Sequence, residues 1–472
     1  MRPMIPRTAL AWLVAPALAT SSPPRPATIA ITHVTVIDVV GEVARADQTV
    51  VIVGDRITAV GGAAALQPPR GAQIVDGHGK YVIPGLWDMH THLAKVGRSA
   101  LPRLVASGVT GVREMGGSFE TVRGWRDSIA AGTLLGPRIE MTGPIVENAR
   151  WLRLVRRFSE QRGDTAGIRA MDERIPVATP EDAVRAVERV AALRVSMLKV
   201  RTTPPRPAFF ALLREARRRG LRVVGHPPSG DVTLAEASDS GQVSFEHQLL
   251  EPQGNVWVSV LDAVSPDART ALVRRLITNH TAMTPTIVAG VGFRRIPDST
   301  ALALIDDSLG LRDPRRRCIS REVAADWRRA IEGKALEGAQ PDWEALARQA
   351  VAHLRALDSA GVLLLAGTDL GSPLVYPGFS IHEELERLLR EGGMSSARAL
   401  RTATLNPARF FGVEREVGTV SAGKRADLVL LNGDPLSDIA NVSRIDRVVL
   451  GGRLIDPRAL APCAPPPGLG HD

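Results

Sequence analysis

The stretch Val82-Ile-Pro-Gly-Leu-Trp-Asp-Met-His-Thr-His-Leu93 decides how this chain is read. An apolar run carrying Pro84-Gly85 leads into two histidines spaced His-x-His. Side chains two apart on a strand point the same way, so His90 and His92 can reach one ion at the strand's end. Neutral imidazoles are common ligands of zinc and similar divalent metals. A lone His-x-His is weak evidence, because many are surface pairs; the apolar strand under this one strengthens it.

Outward from that stretch, apolar strands alternate with helical segments. Strands are expected at 85–92, 109–115, 138–142, 197–201, 222–226, 244–247, 282–287 and 362–368. Helices are expected at 121–131, 180–193, 207–219, 233–240, 268–278 and 343–360, with closing helices at 381–391 and 395–404. The alternation predicts an α/β fold, a (β/α)8 TIM barrel over 84–412. The charged, helix-prone stretch 294–340 reads as a lid. Short strands with glycine turns fill 29–83 and recur over 413–458, which suggests a small β-sandwich built from both chain ends, followed by a flexible tail at 459–472.

Composition narrows the function. The chain has 472 residues, a formal charge of +9 and 4% aromatics. The arginines are scattered and no basic run alternates with aromatics, so a nucleic-acid platform is not expected. Arg2 and Arg7 precede an apolar stretch too short to span a bilayer, and Ala17-Leu18-Ala19 fits a small-x-small cleavage pattern. A signal peptide at 1–19 and a leader at 20–28 are therefore expected, with an exported protein, periplasmic or secreted, and no integral membrane segment after signal removal. Export would permit a bond between Cys318 and Cys463, although two cysteines are no disulfide framework.

Ionisable residues recur at the expected strands' C-terminal ends, where barrel active sites are built. His90 and His92 end the first, Lys199 lies in the fourth, His226 ends the fifth, His247 the sixth and Asp369 the eighth. Lys199 is one of only five lysines and sits among Met197, Leu198 and Val200. Lost solvation lowers its pKa, and a neutral amine can add carbon dioxide to form a carbamate able to bridge two metals.

These residues carry a family resemblance. The chain resembles the amidohydrolase superfamily, in its imidazolonepropionase-like and prolidase-like metal-dependent branch. The matching strings are the opening stretch, Gly108-Val-Thr-Gly-Val-Arg-Glu-Met-Gly-Gly117, Leu135-Gly-Pro-Arg138, Met197-Leu-Lys-Val200, Val224-Gly-His226, Ser244-Phe-Glu-His247 and Leu365-Ala-Gly-Thr-Asp369. Leu400-Arg-Thr-Ala-Thr-Leu-Asn-Pro-Ala-Arg409 and Gly418-Thr-Val-Ser-Ala-Gly-Lys-Arg-Ala-Asp-Leu-Val-Leu430 complete them. The resemblance implies two divalent metals, zinc by default. One would be held by His90, His92, Asp369 and carboxylated Lys199, the other by carboxylated Lys199, His226 and His247. It implies attack by a bridging hydroxide, with Asp369 as general base and then acid. Mononuclear deaminases and imidazolonepropionases of this superfamily usually carry a glutamate soon after the fifth-strand histidine. Here the segment reads His226-Pro-Pro-Ser-Gly-Asp231, which favours the binuclear hydrolases.

Several residues have weaker claims. Arg201, two beyond Lys199, could pair with a substrate carboxylate or form a structural ion pair. Tyr376 could contact substrate or anchor its loop. His382, at the head of its helix, reads as a residue supporting the ligands or capping that helix rather than binding metal. Glu246, next to His247 on a strand, should point away from the site and tie the strands to the helices. The leading expectation is an exported amidohydrolase that cleaves the C–N amide bond of a small molecule, a dipeptide or an N-acyl amino acid. An ester, lactone or phosphotriester hydrolase using the same metals is the second reading, and an inactive binding protein the third. Homo-oligomerisation is left open.

Overall fold

The strands that carry the candidate ligands, and those between them, are parallel. They are β1 (Leu86–Thr91), β2 (Val109–Glu114), β3 (Arg138–Met141), β4 (Met197–Val200), β5 (Arg222–Gly225), β6 (Gln242–Glu246) and β7 (Ala282–Thr284). A computed structural model describes residues 27–247, 250–253, 256–259, 261, 264–334, 342–460 and 463. The expected signal peptide lies outside these residues, as do most of the leader and of the tail.

Neighbouring strands pair in chain order. β1 pairs β2, and β2 pairs β3. Thr142, just past β3, bridges Met197 of β4, and parallel pairing continues from β4 through β5 and β6 to β7. The stretch 362–368, expected as a strand, is extended but makes only isolated pairings. The Leu365 amide donates to the Met283 carbonyl at 2.8 Å, and the Met89 amide donates to Ala366 at 2.9 Å, so the pairings return to β1. A regular ladder is broken there because the Thr368 amide donates to the Asp88 carboxylate at 2.9 Å instead of to a backbone carbonyl. β4, β6 and β7 are buried at nearly every position, as a parallel sheet covered by helices requires.

The helices follow their local signals. Pro180–Ala192 starts with a capping box between Thr179 and Asp182 and a proline in its first turn. Trp343–Ala360 starts at Asp342, which accepts from the Ala345 amide, and ends at Gly361 in the left-handed region. Two helices the sequence did not lead us to expect, Ala149–Gln161 and Thr165–Asp172, stand between β3 and β4.

Both chain ends do meet, but as one paired sheet. Strands from Thr28 to Pro84 join Leu428–Leu431, Ile445–Leu450 and Arg453–Ile455 in an eight-stranded sheet. The strand Thr28–Asp38 is irregular at Ile31–Val36, pairing Gln73–Asp76 with its first half and Tyr81–Pro84 with its second. Ile31, Val50, Ile52, Val82, Leu428 and Leu430 form a core of their own there.

The expected lid stretch holds two helices, Asp298–Asp306 and Arg321–Lys334, packed around Ala301, Ile305, Trp327 and Ile331. Cys318 and Cys463 form a disulfide, with Cα atoms 4.5 Å apart.

Candidate metal centre

His90 and His92 leave β1 toward the same mouth, and their ring tautomers are set by their partners. His90 Nδ1 lies 2.9 Å from Glu246 Oε2, and His92 Nδ1 contacts the Gly116 carbonyl. A carbonyl and an ionised carboxylate can only accept, so both Nδ1 atoms carry the proton and both Nε2 atoms present a lone pair. His247 Nδ1 lies 2.8 Å from Thr286 Oγ1, a hydroxyl that can donate or accept. Its Nε2 lies 3.2 Å from His226 Nε2.

Backbone geometry brings these groups together. Gly225 has φ +143°, and a Cβ there would collide with the Val200 carbonyl; only glycine lets β5 come so close to β4 just before His226. His247 and Asp369 are non-glycine residues at φ +69° and +55°. Such conformations cost free energy and cluster at functional sites. At His247 the turn cancels strand alternation, so Glu246 and His247 both face inward.

Asp369 Oδ1 lies 3.5 Å from His90 Nε2 and 3.3 Å from His92 Nε2, and Ser372 Oγ donates to Oδ2 at 2.6 Å. Lys199 Nζ lies 3.4 Å from His90 Nε2, with 1% of the residue exposed. Burial, helped by the Lys199 charge, lowers the pKa of His90 far below its ordinary value and that of His92 to about 4. Burial also lowers His226 and His247, and brings Lys199 down to about 7. Burial works against charge on Asp369, yet the surrounding His90, His92 and His247 side chains hold its pKa well below the carboxylate range. Neutral imidazoles, an ionised carboxylate and an amine that readily loses its proton make a donor set suited to divalent metal. One ligand atom each from His90, His92 and Asp369 lies within 4.8 Å of the others, which fits a single ion.

Glu246 corrects the expectation drawn from alternation. It is fully buried among the strands, accepting from His90 and from Arg113 Nη2 at 2.6 Å. Arg113, also fully buried, further donates to the Met89 carbonyl and to Thr284 Oγ1. Asp88 was missed, although Asp-x-His-x-His puts it in the period of the two ligands. It accepts from the His90 amide at 3.2 Å and from Thr368 Oγ1 at 2.6 Å, tying β1 to the stretch before Asp369. Burial raises its pKa to about 7.

A cavity of about 840 Å³ opens over His92, Lys199, His226, His247 and Asp369. Arg201 lines it together with Lys95, Arg174, Glu322 and Asp326, the last two from the expected lid. Arg201 is also an ion-pair partner, 3.1 Å from the buried Glu147, so the structural role considered for it is present. Tyr376 lies elsewhere: it is 1% exposed, packs edge-on against Trp327 and lies under the Arg315 guanidinium, so it anchors its loop. His382 Nε2 donates to the Ser107 carbonyl at 2.9 Å, which ties it to that backbone rather than to a ligand.

A model of the amidohydrolase family matches residues 81–455, and the chain belongs to that family. It is similar to an imidazolonepropionase of Rubrobacter xylanophilus, 27% identical over 442 residues that cover 87% of this chain and 91% of that protein. Its fold is similar to a putative prolidase from Bifidobacterium longum, with a TM-score of 0.65 and 25% identity over 92% of this chain and 95% of the other. A bottromycin amidohydrolase shares the fold at a TM-score of 0.66 and 24% identity, over 93% and 89% of the two chains. The protein is thus a metal-dependent hydrolase of C–N bonds in the imidazolonepropionase- and prolidase-like branch.

Proposed function

We propose that this chain is an exported, binuclear amidohydrolase that cleaves the amide bond of a dipeptide or an N-acyl amino acid. The observation that carries the reading is the buried Lys199 amine set beside His90, among four histidines and Asp369 at one mouth. His90, His92, Asp369 and a carbamate on Lys199 would hold one divalent ion, zinc by default, and the same carbamate with His226 and His247 the other. When bound, the ions supply an activated water and a polarised carbonyl.

The chain's own residues handle orientation and protons. Asp369 Oδ1 faces the ligand imidazoles, so the proton from the attacking water is taken at Oδ2, where Ser372 Oγ now donates. The same oxygen then returns it to the leaving nitrogen, which must be protonated to depart. Arg201, held by Glu147 and stacked over Trp151 at 4.6 Å, is placed to receive a substrate carboxylate through its planar fork. His226 is followed by Pro227-Pro228 and no glutamate, which supports hydrolysis over deamination.

We further infer that the parallel strands are the staves of a (β/α)8 barrel over 84–412, with 294–340 as its lid, and that the sheet from both chain ends folds over its own core as a sandwich. Pairings that return from β7 through 362–368 to β1 support the barrel.

The test is hydrolysis of a panel of dipeptides, N-acyl amino acids, lactones, aryl esters and phosphotriesters by the mature zinc-loaded protein, beside a His90→Ala/His92→Ala variant. Metal-dependent release of free amino acid is expected. Turnover confined to esters, lactones or phosphotriesters would move the enzyme to that class, and ligand binding without any metal-dependent turnover would leave a binding protein.

A further inference from the structure

The helix Ala149–Gln161 carries an exposed face, part of which walls an open groove with Thr202, Thr203 and Ser229. Arg150, Arg153, Leu154, Arg157 and Phe158 recur at spacings of three and four, so they share one side of the helix. All five are exposed, Leu154 to 51% and Phe158 to 50%. A surface helix ordinarily turns its apolar side inward, as this one does with Leu152. Here two large apolar side chains also stand outside, flanked by arginines. Arg156 is paired with Asp172 at 2.6 Å and Glu160 at 3.4 Å. Arg150, Arg153 and Arg157 have no carboxylate partner among the described residues. Exposed phenylalanine and leucine between unpaired guanidiniums is the pattern of an interfacial helix.

We propose that this face docks the enzyme on an anionic phospholipid surface. Leu154 and Phe158 enter the boundary between headgroups and acyl chains, and Arg150, Arg153 and Arg157 pair with lipid phosphates. Charge complementarity selects this occupant. A second copy of the chain would set the same arginines against one another, a like-charge contact that opposes association. The full chain is +9, and +7 once Arg2 and Arg7 leave with the expected signal peptide (9 − 2), which draws it to anionic membranes, and no helix among the described residues is long and apolar enough to cross one. The attachment is therefore peripheral. Arg169, on the adjoining helix Thr165–Asp172, lines the catalytic cavity, so the docking face lies beside the mouth.

The test is co-sedimentation of the full mature protein with vesicles of phosphatidylcholine alone or mixed with phosphatidylglycerol, at low and high salt. Binding is expected only with phosphatidylglycerol, and to weaken as salt rises. Arg150→Glu/Arg153→Glu/Arg157→Glu should reduce vesicle partitioning by at least roughly a hundredfold, the scale for three cations leaving an anionic surface before the added repulsion of the carboxylates. Leu154→Ser/Phe158→Ser should weaken what remains at high salt. Both variants should match the parent in thermal unfolding, since all five side chains are exposed. If the arginine variant unfolds early, Arg150→Gln/Arg153→Gln/Arg157→Gln gives the same reading with less repulsion. Equal binding to both vesicle types overturns the proposal, as does undiminished binding of the arginine variants. So does a concentration-dependent dimer in light scattering that the Leu154→Ser/Phe158→Ser variant abolishes.

Discussion

Glu246→Gln keeps the size of a fully buried side chain and removes its charge. In the protein this carboxylate accepts from Arg113 Nη2, His90 Nδ1 and Ser244 Oγ. Burial pushes its pKa up, but the Arg113 cation and the His90 hydrogen bond reverse this and hold it at about 2. The drop from the ordinary 4.5 to about 2 corresponds to on the order of 3 kcal/mol of preference for the charged form in the fold. Breaking a buried ion pair by removing one partner costs a similar amount, about 3–5 kcal/mol, because Arg113 is left charged and uncompensated. The variant should therefore unfold at lower denaturant, by about 3 kcal/mol near neutral pH.

The sign with pH follows from the same shift. A depressed carboxylate pKa gives stability that is fully present above 4.5 and is lost as pH falls toward 2, so parent and variant should converge across that window. Metal affinity should fall by about 10–100-fold, because the acceptor that fixes the His90 tautomer is weakened. Adding Arg113→Gln separates the two effects. The double variant has no unpaired buried charge and should recover much of the stability, while metal affinity stays low. Denaturant unfolding of metal-free protein and titration with zinc read both quantities. A single variant that unfolds at the parent's midpoint and binds zinc as tightly would refute the reasoning. A double variant that regains full zinc affinity would assign the metal effect to the fold rather than to His90.

Two further outcomes bear on the chemistry. Asp369→Asn should lower kcat/KM for amides by at least about a hundredfold, the scale of general acid–base catalysis, and much less for an activated aryl ester whose leaving group needs no proton; with metal content measured alongside, equal losses on both would count against the acid role. Carbon dioxide-free buffer should slow metal loading of the metal-free protein, and Lys199→Ala should abolish that dependence; loading that ignores bicarbonate would sink the carbamate.

The parts of this protein that sequence reading reached are those governed by strict periodicity. β1 was expected at 85–92 and runs Leu86–Thr91, and the capped helix expected at 180–193 runs Pro180–Ala192. Period-two alternation brought His90 and His92 to one side, and by the same rule it sent Glu246 the wrong way. The error is local to His247, whose positive φ breaks the alternation at the residue where it was being applied. Asp369 has the same kind of backbone, after a stretch whose ladder yields to the Asp88 side chain. Histidine and aspartate are enriched at positive φ yet occupy extended backbone more readily, so residue type alone does not announce either conformation. Tyr376 was left between two roles, because sequence distance from Asp369 says nothing about which core a loop side chain enters. The ion pair between Arg113 and Glu246 joins β2 to β6 across 133 positions, and no local pattern connects them. What periodicity could not supply is thus concentrated where ligand geometry departs from regular strand, and the acceptors that set the imidazole tautomers lie there too.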